Sequence, residues 1–150
     1  IVVDETTISH VVPELSALTY RGYTVQELCD KCDFEEVAYL VLHGELPNKV
    51  QLKKFIKEER SERKLSKQIL NDIQKMPKNA HPMDVIRTCV SLMALEDKDT
   101  KDNSPKANMR KAMRIFAKTP TAVAAYFRSR KGKKLYHLIK SYLFLKTSLK

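Results

Sequence analysis

A chain of 150 residues is long enough for one compact domain and small for the two-domain, cleft-type enzymes that handle large cofactors. With 43% hydrophobic residues, 31% charged, 3 Gly and 6 Pro, its composition is globular and helix-rich, which excludes general disorder and a collagenous or mostly β chain. The net charge of +10 is unevenly placed: residues 1–102 carry 15 bases against 18 acids, residues 103–150 carry 13 bases and no acid. Such an asymmetry suits an anionic partner or an acidic surface of a larger protein. No RNP or zinc-finger signature accompanies it, so nucleic acid is not expected. No apolar run approaches the roughly 18 residues of a membrane span, and IVVDETTISH has acids where a secretory leader needs a basic start. The expected location is cytoplasmic, with no membrane partner. The first residue is Ile1, so the chain reads as a piece of something longer.

The first twenty residues mix β-branched and polar residues (Ile1, Val2, Val3, Thr6, Thr7, Ile8, Val11, Val12) and predict a short strand or hairpin. Gly22 marks a turn, and Thr24 with Glu27 forms a capping box that opens a short helix to about Lys31. Asp33 with Glu36 repeats the device. Phe34, Val37, Ala38, Val41 and Leu42 then fall at i, i+3, i+4, i+7 and i+8, a stripe expected to face a core until Gly44 stops the helix. The pair Asn48 and Gln51 starts another helix in which Leu52, Phe55 and Ile56 are core candidates and KEERSERK is a solvated run. A shorter helix from Ser66 to about Lys75 ends before Pro77. His81-Pro82-Met83-Asp84 begins the next, with Ile86, Cys89, Val90, Met93 and Ala94 at helical spacing. EDKDTKDN at 96–103 reads as a polar loop. Ser104-Pro105 caps a helix striped with Met109, Ala112, Met113, Phe116 and Ala117; Pro120 is expected to break or kink it, and Val123, Ala124 and Phe127 to continue the apolar face to Gly132.

The three cysteines, Cys29, Cys32 and Cys89, have no disulfide-framework spacing. Cys29-Asp30-Lys31-Cys32 matches C-x-x-C, but a zinc site needs a second ligand pair and a redox motif a βαβ setting, and neither is visible. Cys89 reads as a core residue. His10, His43, His81 and His137 are scattered singly, with no nucleophile and acid in a local arrangement, and read as capping or surface residues. No metal site and no bound cofactor are expected.

The segments VVDETTIS, LTYRGYTVQELCDKCDFEEVAYLVLHGELP, HPMDVIRT and MRIFAKTPTAVAAYFRSRKG, in that order over about residues 2–132, closely resemble the N-terminal portion of the citrate synthase family, its bacterial citrate and 2-methylcitrate synthases in particular. YRGY at 20–23, FEEVAYL at 34–40, HGELP at 43–47 and HPMDV at 81–85 carry the resemblance. It implies a mainly α fold, here the N-terminal helical array with a short β segment at its start, truncated. It also implies a homo-oligomeric parent that condenses acetyl-CoA or propionyl-CoA with oxaloacetate. In that family an Asp deprotonates the thioester methyl carbon, one His stabilises the enol and another polarises the oxaloacetate carbonyl. The resemblance puts all three beyond the matching part, so no catalytic residue is carried over and His43 and His81 are not promoted. Arg21, in YRGY, is the one candidate ligand contact; the competing reading is an ion pair that fixes the turn. AHPMDV is similar to the SHPMDV-like starts of methylcitrate-type enzymes, which tilts the reading that way.

After Gly132 the resemblance ends. Residues 133–150 read KKLYHLIKSYLFLKTSLK, with Leu135, Leu138, Ile139, Tyr142 and Leu143 at helical spacing, a basic amphipathic tail. A frameshift product, a divergent helix packed on the domain, and a membrane-surface or partner helix are the three readings of it. For the whole chain, the leading expectation is a fragment of a citrate synthase-type enzyme that is inactive alone. The alternative is a non-catalytic helical interaction or dimerisation module.

Overall fold

The β-branched start of the chain forms a small antiparallel sheet in a computed structural model that describes residues 5–13, 17–133 and 135. Its strands β1 (Ser9–Val12), β2 (Ala17–Tyr20) and β3 (Tyr23–Thr24) lie in the order β1-β2-β3, with Ser9 opposite Tyr20 and Tyr20 opposite Tyr23. Six helices follow. The chain divides into two compact units, Ile1–Glu58 and Glu59–Lys150.

In the first unit α1 (Val25–Lys31) opens with the expected capping box: the Glu27 amide donates to Thr24 Oγ1 at 3.2 Å and the Thr24 hydroxyl donates to Glu27 Oε2 at 2.8 Å. Helix α2 (Phe34–His43) repeats it through the Asp33 amide and Glu36 Oε2, 2.7 Å apart. It ends at Gly44, whose φ of +92° is the left-handed cap geometry that glycine adopts without strain. The stripe on α2 is buried differently from expectation. Leu40 is fully buried and Glu35 nearly so, Val37, Ala38, Val41 and Leu42 are half-buried, and Phe34 is 60% exposed. Helical side chains lean toward the N-terminus, so a residue in the first position overhangs the end of its helix instead of covering the face below.

Helix α3 (Lys49–Glu62) starts on Asn48, whose Oδ1 accepts from the Val50 and Gln51 amides at 2.9 Å each. Phe55 is buried as expected, and Leu52 and Ile56 are half-buried. The run KEERSERK is not wholly solvated: Glu59 is 4% exposed and pairs with Arg63 at 2.7 Å, one turn on. Charge alone marks a residue as polar; the partner that makes its burial tolerable is visible only in three dimensions.

The second unit is built from α4 (Lys67–Lys75), α5 (Pro82–Glu96) and α6 (Pro105–Arg130), which pack on one another. Ser66 and Ser104 cap α4 and α6 by accepting from the Ile69 and Ala107 amides, and His81 Nδ1 caps α5 by accepting from the Met83 amide at 3.2 Å. The core is Leu65, Ile69, Ile73, Val85, Cys89, Met93, Ala122, Ala125 and Tyr126, with Leu135 packed at its edge.

Helix α6 corrects two expectations. It runs unbroken through Pro120, which is exposed, so the proline does not end the helix but costs it one amide donor, and Ala117, Thr121 and Ala122 around it are buried. The face it buries matches the expected one only in part: Met113, Ala117 and Ala124 are buried as expected, Ala112 and Phe116 are half-buried, and Met109 is exposed. Ala122, Ala124, Ala125, Tyr126 and Ser129 are buried while Val123 and Phe127 are 47% and 56% exposed. Small side chains let helix backbones approach closely, which suits the buried alanines, and Tyr126 fills the core beside them. Apart from Lys133 and Leu135, the tail and its expected amphipathic helix, His137 included, lie outside the described residues.

Candidate functional site

Arg21 occupies a two-residue turn between β2 and β3, with φ of +49° at Arg21 and +89° at Gly22. Positive φ at both central positions is the signature of the hairpin turn whose twist matches the strands it joins. The Arg21 amide extends the ladder by donating to the Ile8 carbonyl at 2.8 Å. Its guanidinium donates from Nη1 to Thr7 Oγ1 at 2.6 Å and from Nη2 to the Val41 carbonyl at 3.2 Å. Val41 lies in the last turn of α2, where carbonyls lack helical partners and a cation is favourable. Arg21 therefore ties the turn to Thr7 and to the end of α2 through neutral acceptors, where the competing reading had an ion pair: among the described residues no carboxylate pairs with it. Its Nε is buried and has no hydrogen-bond partner among the described residues.

Each histidine among the described residues has its own local setting. His81 is the cap of α5, and His43, exposed at the end of α2, stacks on Tyr39 with ring centres 4.1 Å apart. Phe55 meets both rings edge-on, at 5.5 and 6.1 Å. His10 is exposed on β1. Among the described residues no group of three or more His, Cys, Asp or Glu is placed to hold a metal ion.

The C-x-x-C pair lies at the end of α1, with Cys29 exposed in its last turn and Cys32 at its cap, both as free thiols. Burial, Glu36 and Asp33 push the Cys32 thiol up, with Lys31 opposing. The cysteines of active redox motifs instead sit where a helix N-terminus stabilises the thiolate. Cys89 is fully buried, and burial raises its thiol as well.

The polar loop after α5 holds a cluster that the sequence reading missed. Arg114 donates from Nε to Asp97 at 2.7 Å and from Nη2 to Asp97 at 2.8 Å and Asp99 at 2.6 Å, while Arg110 donates twice to Asp99, at 3.0 and 2.9 Å. The two arginines are one turn apart on α6, and the two aspartates alternate in the loop that leads into it. That spacing is the signal that could have found the cluster. The Arg110 and Arg114 hydrogen bonds hold the Asp99 carboxyl well below the usual carboxylate range against the opposing effect of burial. Burial alone would raise Asp97, but the bonds from Arg114 and from the Asp99 amide outweigh it and its carboxyl is also lowered. Two of the bases that make the last third of the chain so positive are thus engaged within the fold.

Arg21 and the Asp97, Asp99, Arg110 and Arg114 cluster each join elements within their own unit. The comparison with known proteins gives the setting. A family model described as citrate synthase, C-terminal domain, matches residues 1–145. The chain belongs to the citrate synthase family. It is 48% identical over 132 residues to a 2-methylcitrate synthase of Mycobacterium tuberculosis, covering 88% of this chain and 33% of that protein. It is also 48% identical over 132 residues to a citrate synthase of Mycolicibacterium smegmatis, covering 88% and 35%. The crystal structure of citrate synthase from Pyrobaculum aerophilum superposes with a TM-score of 0.83 at 29% identity, over 89% of this chain and 36% of that one. The mainly helical fold expected from the resemblance is the one observed. The chain spans about a third of the length of the curated synthases it matches.

Proposed function

We propose that this chain is the N-terminal portion of a citrate synthase-type acyltransferase that condenses acetyl-CoA or propionyl-CoA with oxaloacetate to citrate or 2-methylcitrate. By itself it does not turn over. The observation that carries the reading is the match at 48% identity over 132 residues to synthases about three times as long as the matching part. Its two units supply a helical scaffold, and the Asp and the two His of the reaction belong to the rest of such an enzyme. Equal identity to a citrate synthase and a 2-methylcitrate synthase leaves the acyl chain to be set by that remainder. The parent acts in the cytoplasm as a homo-oligomer; for location, the supporting observation is that no helix among the described residues is long and apolar enough to cross a membrane. Arg21 is the residue to test for ligand contact, since its charge meets no carboxylate among the described residues.

A second reading, a non-catalytic helical interaction module, draws on the apolar side chains left outside: Met83, Leu95 and Phe127 are 66%, 84% and 56% exposed.

The test is a chimera in which residues 2–132 replace the matching segment of the M. smegmatis enzyme. The expected result is a folded protein that releases CoA from acetyl-CoA in the presence of oxaloacetate. A folded chimera with no activity would count against the acyltransferase reading and favour the module.

A further inference from the structure

The C-x-x-C pair has no part in the scaffold or in the proposed acyl transfer, and its placement suits a chemistry of its own. An α-helix advances about 1.5 Å and turns about 100° per residue, so positions 29 and 32 put their Cα atoms about 5 Å apart on one side of α1. The Cys32 amide still donates to the Leu28 carbonyl at 3.0 Å, which keeps position 32 in helical register. That separation lies inside the roughly 4.4–6.8 Å range that a disulfide spans. Cys32 itself has left the helix, with φ −120° and ψ 145°, so its side chain can swing toward Cys29 at the expense of one cap hydrogen bond and no interior one. Cys29 is exposed and Cys32 half-exposed, whereas the third thiol, Cys89, is sealed in the core.

From these observations we propose that Cys29 and Cys32 form a reversible dithiol modification site that takes low-molecular-weight disulfides, of which glutathione disulfide is the type, as its oxidant. The Cys29 thiolate attacks one sulfur of the oxidant, forming a mixed disulfide and releasing one glutathione thiolate. The Cys32 thiolate then attacks the Cys29 sulfur, closing the ring and expelling the second glutathione thiolate. Two electrons pass from the pair to the oxidant. The protons lost by the two cysteines are taken up by the two departing thiolates. Cys29 leads because it is the accessible thiol, while the partial burial of Cys32 and its neighbours Asp33 and Glu36 disfavour its thiolate and make it the resolving partner. Closure acts on the corner between α1 and α2, because the next residue, Asp33, is the cap of α2.

The experiment is to incubate the folded 150-residue chain with glutathione disulfide, quench with acid, and read intact mass and a non-reducing peptide map. The expected product has lost two hydrogens and carries a Cys29–Cys32 linkage, with Cys89 unmodified, and a reducing agent returns the starting mass. The Cys32→Ser variant should instead accumulate a stable glutathione adduct on Cys29, and Cys29→Ser should form no ring and react more slowly. A wild-type chain that keeps the glutathione adduct on Cys29, links either thiol to Cys89, or stays fully reduced would overturn the proposal. So would a Cys29→Ser variant that reacts as fast as the wild type.

Discussion

Tyr126 gives the sharpest measure of how the second unit is held together. Its ring is 3% exposed within the core of α4, α5 and α6, and its hydroxyl donates toward the Pro77 carbonyl at 2.8 Å and the Ala80 carbonyl at 3.1 Å, both in the turn between α4 and α5. A phenol has one hydrogen to give, so the two acceptors share it. Tyr126→Phe keeps the ring and its packing and removes only that donor. A net hydrogen bond contributes about 1 kcal/mol, and a stranded buried acceptor costs about 1–3 kcal/mol. The Pro77 carbonyl keeps the Ala80 amide as a donor at 3.2 Å, so at most one acceptor is left unpaired and the loss should fall near the low end, about 1–2 kcal/mol. Tyr126→Ala also empties the ring's place, for which about 3–5 kcal/mol is expected from large aromatic deletions. Urea unfolding followed by far-UV circular dichroism measures both. A lower midpoint at unchanged slope is expected, with Phe clearly milder than Ala. A Phe variant indistinguishable from the wild type, or one as damaged as Ala, would refute the assignment of the hydroxyl as the tie between α6 and the turn.

Three further outcomes follow from the geometry. At the hairpin, Arg21→Ala should cost more than Arg21→Gly by about 1 kcal/mol, because both lose the bonds to Thr7 and Val41 but only glycine is at ease at φ +49°; equal thermal midpoints would count against the turn assignment. Asp97 and Asp99 are lowered in the folded chain, so the stability they contribute is fully present above the unfolded aspartate value of about 3.9 and is lost as pH falls below it. The Asp97→Asn, Asp99→Asn double variant should be less stable near neutrality and lose less stability on acidification, and an unchanged acid limb would contradict this. Finally, an aromatic disulfide reagent should label Cys29 rapidly in the folded chain and Cys89 only on unfolding; fast labelling of Cys89 would contradict its sealed position.

Local signals were legible wherever the cause was local. The capping boxes at Thr24 and Asp33, the serine caps at 66 and 104, the His81 cap and the Gly44 stop depend on side chains within a few residues of the backbone groups they serve. What escaped depends on contacts between elements. Periodicity marks an apolar face and cannot say which of two faces a neighbour covers, so α6 was expected to bury Val123 and Phe127 where it buries Ala122, Ala125 and Tyr126. The acids at 97 and 99 look like solvated loop until α6 brings Arg110 and Arg114 alongside. Of the candidate site, the place of Arg21 in a turn was legible from YRGY. Its hold on the Val41 carbonyl, twenty residues away, was not.

The central claim is that this chain is synthase scaffold without the reacting groups. Purified chain incubated with acetyl-CoA or propionyl-CoA and oxaloacetate, with loss of the thioester followed so that the protein's own three thiols do not interfere, tests it most directly. The account predicts no loss above the rate without protein. Sustained consumption of either thioester that requires oxaloacetate would contradict it and place the catalytic residues within these 150 positions.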